Sequence, residues 1–421
     1  MCQSNRDKWL SCAAVVLCLW GATAAAFGAG GGPLDRWTLV DYSPGSSPAT
    51  GRGVAIRAGI GPDNLAHFYA STNAMVTNTQ GWTAVLSNTA GEASYTSSSF
   101  FVSGRDHAFG VSVSEDGYQW KNCGVQPYFI DQITRVRGGF LGRGVPYPAA
   151  PYQELLYQSS DGCQWQPSAL PYVTYSGLKL TAFGNGVLMG TIFDGLKGST
   201  DIYLSDDFAT WTISTNALPD NYGFAFVHGE FLAIQPEWQA GRWYGVLRRS
   251  RDGHRWSDKV RFGPTPGDSN PWAVLYANRT YLAFGGRYVY SSNDAISWTT
   301  HDTALSFHFS AYAFGGFWAG RFLLVPLVGG TTLFFVLSDV VPPAVDQVRL
   351  LPDLCRRLPD GGMLLTVEAP YGRAVTVEAS GDLAVWSPIA TDSCDTGEFE
   401  VYDERAKTLD HRFYRAWQAG P

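Results

Sequence analysis

Residues 114–120, Ser-Glu-Asp-Gly-Tyr-Gln-Trp, set a hydroxyl, two carboxylates and an indole inside seven positions. A serine two residues from a carboxylate is the material of nucleophilic or acid–base catalysis, where one group attacks and another takes its proton. Such a pair is needed once per active site. Here it recurs: Ser159 opens SSDGCQW, Ser205 SDDFATW, Ser250 SRDGHRW and Ser292 SNDAISW, each with Asp two residues on and Trp six residues on. A motif repeated along a chain usually holds the fold together. In a tight turn several backbone N–H groups lack ladder partners, and a Ser hydroxyl with an Asp carboxylate accepts from them. Gly117, Gly162 and Gly253 would supply a positive φ cheaply, and each Trp would bury a large ring. Ser114, Asp116, Trp120, Ser159, Asp161, Trp165, Ser205, Asp207, Trp211, Ser250, Asp252, Trp256, Ser292, Asp294 and Trp298 are therefore read as structural. No catalytic residue is assigned.

The elements that hold these turns follow from their spacing. Two degenerate copies flank the regular five: Ser71, with Trp82 after a longer loop, and Ser338, with no Trp. The seven serines stand 42 to 46 residues apart. That period, with a short β-type run on each side of every turn, is the size of a four-stranded propeller blade. One unit reads as an inner strand over 179–183, a turn, strands over 187–192 and 201–204, the Ser/Asp turn, and an outer strand from Trp211. The seventh copy lacks its Trp, whereas Trp37 in RWTLV has no preceding turn. Trp37 is expected to supply the missing outer strand and so hide the open sheet edge. The expectation is all-β: a seven-bladed β-propeller of four-stranded blades over 35–340, closed by an N-terminal strand.

The Ser-x-Asp-(Gly)-x-x-Trp units resemble the Asp-box, or BNR, repeats of secreted β-propellers, and the match runs over residues 35–340. Families with such boxes include sialidases, some glucan hydrolases, sortilin-like receptors and photosystem-assembly propellers. The resemblance implies that the boxes lie on the rim away from the ligand face. Since those families differ in function, it does not choose among them. For a sialidase it also implies an Arg-Ile-Pro segment near the start; here Arg57 is followed by Ala58, which weighs against that activity.

Composition agrees with an all-β chain: 47 Gly, 15 Trp, 21 Tyr and 24 Phe, with no sustained helical periodicity. Residues 1–26 read as an export signal, with Arg6 and Lys8 before an apolar run from Trp9 to Trp20 and small residues from Ala22 to Ala26. No other run approaches the roughly twenty apolar residues of a membrane span. A secreted, periplasmic or cell-surface monomer is expected, with no integral span. The formal net charge is −7, or −8 once residues 1–26 leave with Arg6, Lys8 and Asp7. An acidic chain without a basic run is expected to be a poor partner for nucleic acid or anionic membrane.

Beyond the signal stand Cys123, Cys163, Cys355 and Cys394. Of the three pairings possible in an oxidising compartment, Cys355 with Cys394 is favoured because both lie in one C-terminal unit; four free thiols are the alternative. That unit spans 347–421, after a linker at 341–346 that contains Pro342-Pro343. Its Ser380, Asp382 and Trp386 repeat the motif at the right interval, so an eighth blade competes with a separate module. The proline break and the role left for Trp37 favour a small β-sandwich, similar to those that end many secreted bacterial repeat proteins.

If the Ser/Asp turns mark one face, ligands meet the opposite one, built from loops between blades and between second and third strands. Those loops hold Tyr128, Tyr147, Tyr152, Tyr172, Trp238, Trp243, Trp272 and Phe307, aromatics suited to stacking on sugar rings. Glycoside hydrolysis needs a carboxylate pair, for which Asp194, Asp201, Glu237 and Asp268 are the candidates. The seven histidines show no metal-ligand spacing, His301, Asp302 and His308 coming nearest, and no cofactor motif is present. No metal or cofactor is expected. Asn278-Arg279-Thr280 is a formal glycosylation sequon. The leading expectation is an exported, non-enzymatic propeller that binds a glycan or an extracytoplasmic protein. The alternative is a sialidase-like or glucanase-like glycoside hydrolase, and a third option is an assembly factor for an exported or membrane complex.

Overall fold

A computed structural model describes residues 26–27, 34, 37–43, 49–60, 63–72, 82–87, 91–96, 99–104, 110–124, 128–136, 139–146, 155–168, 179–194, 199–208, 210–214, 218–219, 223–265, 273–285, 288–303, 314–318, 321–325, 327–328, 332–338, 347–394 and 396–418. The protein is all-β, and its sheets are antiparallel. Five sheets contain four strands in chain order, and a sixth adds the short strand Leu218–Pro219 to four such strands. The fourth runs Lys179–Gly184, Val187–Asp194, Ser199–Ser205 and Thr212–Ile213, within two residues of the boundaries expected from the repeat. The fifth runs Gly223–Val227, Glu230–Gln239, Arg242–Ser250 and Val260–Thr265. A seventh sheet joins Phe314–Trp318, Arg321–Val325 and Thr332–Ser338, and the strand Trp37–Ser43 pairs with its last member, Trp37 opposite Ser338. The first strands of successive sheets lie side by side, and Phe314–Trp318 in turn neighbours Ala49–Gly51.

Period-two geometry explains how short apolar runs hold consecutive sheets together, since adjacent residues on a strand face opposite ways. Phe100 packs with Ile56 and Phe68 of the sheet before it, whereas Phe101 packs with Ile130 and Tyr157 of the sheet after it. Phe140 and Leu141 divide likewise, as do Leu188 and Met189. In the fifth sheet Phe231 and Ala233 face the fourth sheet, and Leu232 and Ile234 face the sixth. The second strands of these four sheets are thus apolar on both sides, each buried large side chain contributing about 1.5–3 kcal/mol.

The Ser/Asp turns share one hydrogen-bond pattern. Asp116 Oδ1 accepts from the backbone of Tyr118 (2.8 Å) and Gln119 (2.7 Å) and from the Ser114 hydroxyl (3.0 Å). Gly117, at φ 77°, donates to Ser114 Oγ (2.8 Å) and its carbonyl accepts from Trp120 Nε1 (3.1 Å). Asp161, Asp252 and Asp294 accept from their own turns in the same way, and Asp207 accepts from Thr210 and Ser205. These carboxylates are engaged by backbone and are not free to serve a substrate.

Two further sheets follow, one holding Met363–Glu368 and Glu398–Asp403, the other Ser387–Ser393, Ala374–Ser380 and Phe413–Gln418. They share a core of Leu365, Val367, Val375, Val377 and Val401. The Ser380–Trp386 motif forms the same turn, with Asp382 accepting from Ala384 and Val385, but its sheet has three strands out of chain order. These sheets meet the turns between first and second strands of the earlier ones. Arg52 pairs with Asp392 (3.2 Å), His228 with Glu398 (2.8 Å) and Arg279 with Glu368 (2.5 Å). Asn278 donates its backbone N–H to Thr396 and is buried beneath Gly397, so the formal sequon is not exposed in the fold.

The disulfide departs from the sequence expectation. Cys123 is joined to Cys163, with Cα atoms 4.9 Å apart, while Cys355 and Cys394 form no disulfide. Cys123 follows the outer strand of the second sheet and Cys163 sits in the Ser/Asp turn of the third, so neighbouring sheets bring them together. Cys394 is buried in the last core, and the Cys355 thiol is directed at the Thr366 carbonyl at 4.0 Å.

Candidate functional site

The fifth sheet carries the site. Its second and third strands form one hairpin, closed by Ala240 and Gly241, both at positive φ (51° and 76°). Two such residues make the tight turn whose twist suits a hairpin. The stretch that carries Trp238 and Trp243, expected to be a loop, is therefore almost all paired strand: Gln235 lies opposite Val246, Glu237 opposite Tyr244 and Trp238 opposite Trp243. Phe231 lies opposite Ser250 at the other end, so the tryptophan pair and the Ser/Asp turn occupy opposite ends of the sheet.

Trp238 is 56% exposed, the indole of Trp243 meets it edge-on at 5.1 Å and 61°, and Trp243 is half-buried. This arrangement fixes one indole while leaving the other available to a ligand. On the other face of the same hairpin Glu237 accepts from Lys259 Nζ (2.7 Å) and from Arg261 Nε (3.0 Å) and Nη2 (2.5 Å), and the Arg261 guanidinium lies 5.4 Å from the Tyr244 ring centre. Lys259, and then Arg261, hold the Glu237 carboxyl below the usual carboxylate range. A carboxylate so held stays ionised and is a poor general acid.

Of the aromatics expected at the loops, only Trp238 and Trp243 come together among the described residues. Tyr128 begins the strand Tyr128–Val136, and Tyr147, Tyr152, Tyr172, Trp272 and Phe307 lie outside the described residues. Of the other carboxylate candidates, Asp194 ends the strand Val187–Asp194 opposite Ser199, Asp201 is paired with Ile192, and Asp268 lies outside the described residues. His301 Nε2 lies 2.8 Å from the Ser291 hydroxyl, and His308 is also outside. Among the described residues no three His, Cys, Asp or Glu side chains converge on one point, and no helix is long and apolar enough to cross a membrane. Arg57 is buried, with its guanidinium 4.5 Å from the Trp82 ring centre and 5.7 Å from that of Tyr69. Tyr244, Lys259 and Arg261 were not singled out from sequence; alternation along the hairpin sets Tyr244 on the face opposite Trp243, together with Glu237, its partner across the strands.

No family model matches the chain, and no curated protein matches it. Solved structures give distant likenesses. A polysaccharide lyase described as an ulvan lyase is 11% identical, with 79% of this chain and 99% of that one covered, at a TM-score of 0.41. The Bombyx mori β-fructofuranosidase is 12% identical, with 69% and 90% covered, at 0.31. An isopeptidase variant with a peptide bound is 10% identical, with 80% of this chain covered, at 0.28; this chain spans 58% of its length.

Proposed function

We propose that the chain is an exported β-propeller of seven blades over 35–340, closed by the strand Trp37–Ser43 and followed by a separate C-terminal β module, and that it binds a glycan at the loop face without cleaving it. The unbroken succession of neighbouring first strands supports closure, and a disulfide between consecutive sheets supports an oxidising destination. The observation that carries the binding reading is Trp238, an exposed indole braced edge-on by Trp243 at the end of the sheet remote from the Ser/Asp turns. A rigid exposed aromatic face is what the apolar face of a sugar ring stacks on. Glu237, on the hairpin's other face and held ionised by two cations, is ill suited to donate a proton to a ligand on Trp238. Affinity electrophoresis in gels that contain soluble polysaccharides, neutral and acidic, tests the reading. The intact chain is retarded by at least one of them and Trp238→Ala is not; equal mobility of both proteins in every gel would overturn it.

A further inference from the structure

The fifth sheet concentrates cations in a chain that is acidic as a whole. Between residues 242 and 261 stand seven Arg or Lys against two Asp, while the chain carries 30 basic and 37 acidic residues. Arg242, Arg248 and Arg249 lie on the third strand, Arg251 and Arg255 in the Ser/Asp turn, Lys259 just before the outer strand and Arg261 on it. The series runs from Arg242, beside the tryptophan pair, to Arg251 and Arg255 at the turn, roughly 30 Å along a strand of this length. At the turn the surface dips into a depression of about 720 Å³ lined by Arg249, Arg251, Arg255 and Lys259 and by the carboxylates of Glu230, Asp252 and Asp258.

Neighbouring acids do not neutralise the series. Glu230 accepts from Arg249 Nε at 2.6 Å and lies 3.4 Å from Arg251 Nε, and Glu237 holds both Lys259 and Arg261. Each carboxylate is shared by two cations. Asp252 directs its Oδ1 at the backbone of His254 and Arg255. Arg242 and Arg255 are exposed and have no ion-pair partner among the described residues, and Arg251 is 78% exposed. Such a charge series would be repulsive in isolation and has a use if a ligand supplies the counter-charge.

We infer that this edge binds an anionic polysaccharide, extended along the sheet with one sugar ring on Trp238 and its carboxylate or sulfate groups on the arginines down to Arg255. The inference rests on the glycan reading above and names the class of glycan. Guanidinium groups match carboxylate and sulfate with paired N–H donors, and a linear polymer bears such groups at regular intervals.

Fluorescence anisotropy with the full chain tests it, using labelled polygalacturonate, dextran sulfate, neutral dextran and single-stranded DNA. At about 0.1 M salt at least one acidic polysaccharide is expected to bind at least tenfold more tightly than dextran; the two acidic polymers separate carboxylate from sulfate recognition. That advantage is expected to collapse near 0.5 M salt, where screening shortens to a few Å. Arg251→Glu with Arg255→Glu is expected to weaken acidic-polymer binding at least tenfold, and Arg251→Gln with Arg255→Gln to weaken it less; thermal melts establish that both variants fold. Dextran binding as tightly as the acidic polymers, or indifference to the arginine changes, overturns the anionic inference and leaves the glycan reading standing. DNA binding as tightly as the acidic polysaccharides overturns it in favour of unspecific charge attraction. A failure of all three polysaccharides overturns it together with its premise.

Discussion

At three of the Ser/Asp turns the position that is glycine elsewhere carries a side chain in the left-handed region: Phe208 at φ 61°, Ala295 at 56° and Leu383 at 64°. The conformation costs an L-residue roughly 1–2 kcal/mol. Phe208 recovers part of this against Phe183 and Ala295 through full burial, but Leu383 is 57% exposed. Leu383→Gly is therefore expected to stabilise the chain by about 0.5–1 kcal/mol, the relief being reduced by glycine's looser unfolded state. A urea midpoint that fails to rise would contradict strain at this turn. The carboxylates of the same turns define a pH window. The backbone of Ser297 and Ile296 holds Asp294 at about 2, and Asp161 and Asp382 are lowered by like bonds. Burial pushes Asp116 and Asp252 up, yet turn N–H groups hold both below the ordinary value. Because these folded values lie below the unfolded ones, the stability they supply is present above the ordinary value of 3.8 and is lost as pH falls through about 2. The melting temperature should fall steeply across that window, and Asp294→Asn should melt lower at neutral pH with a shallower acid limb. Parallel acid limbs for the two proteins would assign the acid sensitivity to other groups.

Between elements, the disulfide is the covalent link that sequence order concealed. Its cysteines are 40 residues apart, a span whose closure is worth about 4 kcal/mol in the chain-entropy picture. Cys163→Ser is expected to cost about 2–4 kcal/mol in denaturant unfolding, and reductant should lower the parent to the same level; insensitivity of the parent to reductant would contradict the link. Pairing by shared C-terminal position pointed to Cys355 and Cys394, whereas the repeat sets the outer strand of one sheet beside the turn of the next. What the sequence made legible was whatever depends on local chemistry: the repeat period, the strand limits around Gly184 and Ser205, and the positive φ at Gly117 and Gly162. Tertiary pairing was less legible. Pro236 and Glu237 read as loop residues, yet opposite Gly245 and Tyr244 they continue a strand that carries Trp238 to its end. The aromatic list was likewise too broad, since an isolated Tyr or Trp in a turn-rich stretch gives no sign of its exposure.

Across the whole molecule, charge joins the C-terminal sheets to the earlier ones. Glu368 is 2% exposed and accepts from both Arg279 and Arg349. Those two arginines, though partly solvated, draw its carboxyl down against the effect of burial. Removing that carboxylate leaves two cations facing each other, so Glu368→Ala is expected to cost about 1–2 kcal/mol, less than for a fully buried pair because the arginines keep contact with water. Scanning calorimetry should show this as a lower melting temperature; an unchanged trace would mean that the contact is incidental. Net charge, too, behaves differently at this scale. An overall −7 suggested a chain without affinity for polyanions, but the average conceals the basic edge of the fifth sheet, which was visible in residues 242–261 once read locally. The central claim, that the protein binds glycan and does not cleave it, is tested most directly by exposing the intact chain and Trp238→Ala to a carbohydrate array while measuring both retained protein and released reducing ends. Retention of the intact chain, loss with Trp238→Ala and no released sugar is the predicted result. Release of sugar by the intact chain, or retention that survives the loss of Trp238, would contradict it.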